Sequence, residues 1–176
     1  MTHAMPLLLL AAVAAGTPVE LGALKADAPA AWKELPAGNP MRLKQFSIPG
    51  PGKEGEAELV VFFFGQGQGG DTQANIDRWK KQFTPPEGKT LDQVSKVSNL
   101  KVGAKDAKAT MVDVTGTYMF KARPMDPGPG EPRPNSRMLA VVFQTAQGNY
   151  FLKLTGPHKT VEGAKKPFEG WIKSFK

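Results

Sequence analysis

The chain has no cysteine and only two histidines among its 176 residues. Without thiols there are no disulfides, thiolate nucleophiles, cysteine zinc sites, iron–sulfur clusters or lipid attachment at an N-terminal cysteine. His3 falls in a segment read below as removable, which leaves His158. One imidazole makes neither a two-histidine metal site nor a triad by itself. Nucleophile elbows and the H-E-x-x-H signature are also missing. So are long basic runs and the basic–aromatic signature of RNA-binding sheets. No apolar run reaches the roughly 20 residues that a membrane-spanning helix needs. The expectation is a chain without metal or cofactor, without nucleic acid as partner, without a transmembrane segment and without catalysis.

What is present suits one domain with a sizeable core. Lys and Arg number 23 against 16 Asp and Glu, a formal charge of +7, but the basic residues are scattered, which reads as solubility. "MPLLLLAAVAAGTPVE" reads as a secretory signal: Leu7–Ala15 is apolar and Ala12-Val13-Ala14 supplies A-x-A spacing, with Val13-Ala14-Ala15 adjacent. The segment before it carries no Lys or Arg, and the alternative is a strand or helix of the domain itself. The organisation expected is therefore a signal over 1–15, a linker over 16–30 rich in Ala, Gly, Pro and Leu, and a domain over 31–176 that begins near Trp32. Such a chain would be periplasmic or secreted.

Within the domain, "MRLKQFSIP" and the stretch Glu56–Phe64 read as strands, the second ending in the unbroken run Val60–Phe64. A strand apolar on both faces needs cover on both sides of its sheet. Thr110–Phe120 and "RMLAVVFQT" read likewise, "AQGN" turns the latter into "YFLKL", and a weak strand is expected within 91–103. Ile76, Trp79 and Phe83 mark one helix face behind the N-cap Asp71, with Pro85 and Pro86 as its stop. Val161, Ala164, Phe168, Trp171, Ile172 and Phe175 mark a second helix, with a kink or break expected at Pro167. That stripe reads as a lid on the sheet. Bordered by Lys165, Lys166 and Lys173, it also admits a helix lying on a membrane.

Gly65, Gly67 and Gly70 satisfy the dinucleotide-binding fingerprint G-x-G-x-x-G between strand and helix. The rest of that fold is missing: the later strands are antiparallel, and Asp92, at the distance of the ribose-binding acid, is not on a strong strand. Asp71 puts a negative charge where a pyrophosphate would sit. "EGKT" at 87–90 is no P-loop either, because Phe83 stands where its first glycine belongs. The glycines are read as turn formers, and nucleotide binding is not expected.

"RPMDPGPGEPRPNS" reads as an irregular loop with P-x-x-P spacings at Pro124/Pro127 and Pro129/Pro132. Glu54, Glu56 and Glu58 share a strand face and could recruit a hard cation, though nothing supplies the six or more oxygens of a calcium site. Asp113 interrupts an apolar strand as a candidate perturbed carboxylate, with solvent beside Thr115 and Thr117 as the plainer placement.

Taken together, "APAAWKELP" leading into "MRLKQFSIP", then "ELVVFFF" with "GGDTQANIDRWKKQF", "SRMLAVVF", "NYFLKLTGPHKTVEG" and "FEGWIKSF" resemble the PsbP-like fold family over most of residues 30–175. That family is named for an extrinsic photosystem II protein and includes many small exported bacterial proteins. The resemblance implies an accessory or binding module, and it supplies no photosystem-binding or metal-binding residues to carry over. The fold class expected is α/β of the α+β type: a central antiparallel sheet of about five to six strands with helices on both faces.

Three functions follow as expectations. The first is a non-catalytic accessory or binding protein of the bacterial envelope. Its partner would be a protein or envelope component, met by the Gly65–Asp71 turn (Gly67, Gly69, Gly70, Asp71) and the Arg123–Ser136 loop (Pro127, Arg133). The second is a small-molecule carrier with a pocket between sheet and C-terminal helix, lined by Trp79, Tyr118 and Trp171. The third is an enzyme of unknown reaction using Asp113 or His158.

Overall fold

The computed structural model describes residues 15–123 and 127–176. The signal reading over 1–15 therefore lies, apart from Ala15, outside the described residues, as do Pro124, Met125 and Asp126. The described chain begins with a hairpin of β1 (Thr17–Leu21) and β2 (Leu24–Ala28). The linker expected over 16–30 is thus corrected. Val19, Leu21 and Ala28 are buried in the main core, and the hairpin is pinned by backbone bonds in both directions between Lys25 and Lys176. The physical reason is the alternation in "VEL", which puts two branched side chains on one face.

The remaining strands are β3 (Lys33–Leu35), β4 (Arg42–Ile48), β5 (Ala57–Phe63), β6 (Phe83–Thr84), β7 (Ser95–Leu100), β8 (Lys108–Phe120), β9 (Glu131–Thr145) and β10 (Gly148–Pro157). They form one antiparallel sheet in the order β3-β4-β5-β10-β9-β8-β6, with β7 also pairing along β8. This is an eight-stranded sheet rather than one of five to six. The extra strands, β3 and β6, have three and two residues and are too short to carry a readable period.

Two helices complete the fold, and they cover the sheet unequally. Helix α2 (His158–Ser174) runs through Pro167 as a single element, so the break expected there is absent. The hydrogen bond that Pro167 forfeits belongs to the carbonyl of Gly163, and both residues lie on the exposed side where water can serve. Its other side, Val161, Ala164, Phe168, Trp171 and Ile172, is buried with Phe175 against the sheet, as the stripe predicts. Trp32 closes this face, edge-on to Trp171 at 5.4 Å and to Phe46 at 6.2 Å.

Helix α1 (Thr72–Lys80) covers only one end of the opposite face. Asp71 caps it, accepting from the Ala74 amide at 2.8 Å. Ile76 and Trp79 pack there with Phe83 of β6 on Val112, Val114, Met138, Ala140, Val142 and Phe151. The rest of that face is open.

The segment read as an irregular loop is partly strand. Glu131–Ser136 extends β9, and its first residues pair with β8 alone, as Tyr118↔Arg133, Met119↔Pro132 and Phe120↔Glu131. The result is a two-stranded arm past the end of β10. A register shift separates it from the main sheet, and Asn135 in that shift has φ 51°, the left-handed conformation asparagine tolerates at a bulge.

Candidate functional groove on the open sheet face

On the open face, alternation brings up Glu58, Val60 and Phe62 from β5 and Lys153 and Thr155 from β10. The register sets them in rows: Arg42 beside Phe62, Val60 beside Lys153, and Glu58 beside Thr155. The walls are the end of α1 (Arg78, Lys81, Gln82) and residues 118–122, 128, 129 and 132–136 of the β8–β9 arm. The groove between them is open to solvent and has a volume of about 1240 Å3. A drug-sized ligand site is typically about 300–1,000 Å3.

Lys153 is the chemically unusual group at the floor. Its amine donates to Gln82 Oε1 at 2.6 Å and to the Tyr118 hydroxyl at 3.1 Å, and sits 5.0 Å from the centre of the Tyr118 ring. Burial pushes its ammonium down to about 8; Glu58 pulls the other way and the charge of Arg42 adds to the lowering. Burial likewise raises the Tyr118 phenol, so it stays neutral through the physiological range. Arg42 gives its Nη1 to Gln45 Oε1 at 2.9 Å and to Glu58 Oε1 at 3.4 Å, and Gln45 Nε2 donates to the same Glu58 oxygen at 2.6 Å. Arg42 Nε and Thr155 Oγ1 are buried without any hydrogen-bond partner, as are Ser47 Oγ outside the groove and Trp171 Nε1 on the closed face. Unsatisfied buried polar atoms are costly, and two at one groove call for an explanation.

The residues singled out from sequence distribute as follows. Tyr118 and Arg133 are register partners on the arm and both line the groove, with the Arg133 guanidinium 3.5 Å from the centre of the Phe120 ring. Pro127 is exposed near the arm's tip and does not line it. The turn Gly67, Gly69, Gly70, Asp71 lies outside the groove; Gly67, Gly70 and Asp71 are exposed, and Gly69 packs against Phe151. Gly69 has φ +90°, and a side chain there would meet Phe151 at 2.4 Å. Its carbonyl, with that of Asp71, accepts from the Asn75 side chain at 2.8 Å.

The pocket expected from Trp79, Tyr118 and Trp171 does not form. Trp79 and Tyr118 belong to the α1 face and Trp171 to the α2 face, with the sheet between them. The space beneath α2 is filled by Trp32, Phe168 and Trp171 themselves.

For Asp113 the solvent placement is corrected and the perturbed carboxylate is found: it is 8% exposed and faces α2. It accepts from Arg137 through both oxygens, at 2.8 and 2.7 Å, and from Lys165 at 2.8 Å. Burial raises its pKa, but the bonds from Arg137 and Lys165 outweigh that and hold it below the ordinary carboxylate range. Arg137 also pairs with Glu162, whose carboxylate is 3.9 Å from His158 Nε2. Asp113 is thus the hub of a strut between sheet and helix. Glu54 pairs with Lys159 at 3.1 Å and Glu58 with Arg42, and no acidic or histidine cluster able to hold a metal ion occurs among the described residues. No helix among them is long and apolar enough to cross a membrane.

Lys153, Arg42 and Thr155 were not singled out from sequence. The signal for Lys153 was present: in "YFLKL" it is the one charged residue, and period two sets it on the same face as Phe151.

No family model and no curated protein matches the chain. Among solved structures it is similar to the protein of unknown function PA94 from Pseudomonas aeruginosa, at 13% identity and a TM-score of 0.48, over 90% of this chain and 94% of that one.

Proposed function

We propose that the chain is an exported, non-catalytic binding protein of the bacterial envelope, PsbP-like in architecture, whose ligand lies in the groove on the open face of the sheet. The observation that carries this reading is the pair of buried, unpartnered polar atoms, Arg42 Nε and Thr155 Oγ1, lining one groove. Ligand sites combine an apolar lining with a few convergent polar groups, and Phe62, Tyr118 and Phe120 supply the lining here. The carrier reading is retained with its pocket moved from beneath α2 to this face. The enzyme reading is weaker, because both oxygens of Asp113 are engaged by cations and the Glu162 carboxylate beside His158 is itself paired with Arg137.

The test is thermal unfolding of the full chain against a chemically mixed panel, with Thr155→Trp as a variant that fills the groove. A ligand at 100 times its Kd stabilises by about 2.7 kcal/mol, which reads as several degrees in Tm. A compound that raises Tm for the wild type and not for Thr155→Trp supports the groove. A panel that shifts neither protein overturns it. Export is tested separately by intact mass and fractionation after expression in a bacterium. A product shortened to near Ala14 or Ala15 and found in the periplasm or medium is expected; an uncleaved cytoplasmic product overturns export.

A further inference from the structure

The groove's polar floor has a charge preference. Lys153 stands between Val60 and Ala140 in register, so neither neighbouring strand sets an acid beside it. Its two hydrogen-bond partners, Gln82 and Tyr118, are uncharged. Glu58, the nearest acid by register, is already engaged by Gln45 and Arg42. Around the rim Arg78, Lys81 and Arg133 add to the positive charge. The opposing carboxylates are Glu54, Glu56 and Glu58, of which Glu54 is turned to Lys159. Both unpartnered polar atoms can donate, and Arg42 Nε can do nothing else. Donors and cations gathered over an apolar bed are complementary to one kind of molecule.

We propose, resting on the binding-protein reading above, that the groove takes an amphipathic organic anion: a carboxylate or phosphate head seated between Lys153, Arg42 and Thr155, with its apolar body along Phe62, Tyr118 and Phe120. Such a head gives Arg42 Nε and Thr155 Oγ1 the acceptor they lack. It also supplies the counter-charge that the floor withholds from Lys153. Charge-assisted hydrogen bonds of this kind are the strong ones.

A pH signature follows. The free ammonium of Lys153 titrates near 8, and an anion beside it raises that value, so binding takes up protons above pH 8 and affinity falls as pH climbs. The charged and titratable groups that line the groove with it are Glu58 from β5, Glu54 and Glu56 just before that strand, Arg42 from β4, Arg78 and Lys81 at the end of α1, and Tyr118, Lys121 and Arg133 from the arm.

The experiment is calorimetric titration of the full chain, below the micelle concentration of each probe, with dodecanoate, dodecyl phosphate, dodecanol and dodecyltrimethylammonium. Both anions are expected to bind at least about tenfold more tightly than the alcohol or the ammonium. Lys153→Met should weaken the anions by about the same factor and leave the alcohol unchanged. The ratio of dodecanoate to dodecyl phosphate affinity then tells which head the floor prefers. Equal affinity for alcohol and anion overturns the anion assignment while leaving the groove as a site. So does an anion affinity that survives both Lys153→Met and Arg42→Gln. No heat from any of the four probes overturns the assignment as well, and the mixed panel above decides whether the binding reading goes with it. Each variant is checked by its far-UV spectrum, and Thr155→Val stands in for one that does not fold.

Discussion

Alternate residues of β9 live in different surroundings. Leu139, Val141 and Phe143 meet α2, the N-terminal hairpin and Trp32 in a closed layer. Met138, Ala140 and Val142 meet α1 at one end of a layer that stays open at the other. The closed face buries a charged side chain and the open face half-buries one, and the two are treated oppositely. On the closed face Asp113 receives three hydrogen bonds from two cations. On the open face Lys153 receives neutral partners only. The closed face matches its charge with opposite charges, whereas the open face gives its cation neutral hydrogen-bond partners, and the binding proposal rests on that difference in charge matching.

That contrast can be broken at the closed face first. Asp113→Ala leaves Arg137 and Lys165 facing an apolar layer with only Glu162 in reach, and is expected to cost about 3 kcal/mol in urea unfolding. Its sign with pH is fixed. A carboxyl whose folded pKa is lowered stabilises the protein above its unfolded value and loses that contribution as pH falls through the folded one. The gap between wild type and Asp113→Ala therefore narrows on acidification, and a gap that is constant with pH would remove the ionic account.

Gly69→Ala comes next, at about 2 kcal/mol, because it adds a Cβ against Phe151 in a backbone conformation that side chains resist. The measurement is Tm, together with anion binding, which should be unchanged because the turn lies outside the groove. Asp71→Ala removes the cap of α1 and should cost about 1 kcal/mol, read by the same unfolding curves.

The smallest effect is expected at Lys153. Lys153→Met relieves a buried cation and is expected to change stability by less than about 1 kcal/mol at neutral pH, in either direction. A lysine whose folded pKa is lowered binds fewer protons folded than unfolded, so its penalty is full below about pH 8 and fades towards 10.5. Wild type should accordingly gain on Lys153→Met across that window. Curves that stay parallel would mean that Lys153 is solvated, and would blunt the contrast between the two faces.

Much of the scaffold was legible because it rests on periodicity. The stripe of α2, the cap Asp71 and the strands β4, β5, β8 and β10 all follow from spacing or from a capping residue. The failures have common physical causes. Prolines suggested a loop where β9 continues, since proline is tolerated in a strand whose N–H side faces solvent. Small residues suggested a tether where Val19 and Leu21 alternate with Pro18 and Glu20 into the core. A helix stripe shows that a helix packs, but not on which side of a sheet, so Trp79 and Trp171 were joined in one pocket. The groove itself arises from what α1 fails to cover, a property of its nine-residue length and placement that no single motif encodes.

The prolines of the arm have a consequence for self-association. Met119, opposite Pro132, turns its own N–H to the Gln82 carbonyl at 2.8 Å, so that pair is not hydrogen-bonded and the nitrogen of Pro132 faces outward. That nitrogen carries no hydrogen, and Pro134 in the adjacent bulge removes a second donor. An incoming strand would find gaps along the arm where a ladder should start. The arm can therefore project into solvent without templating aggregation.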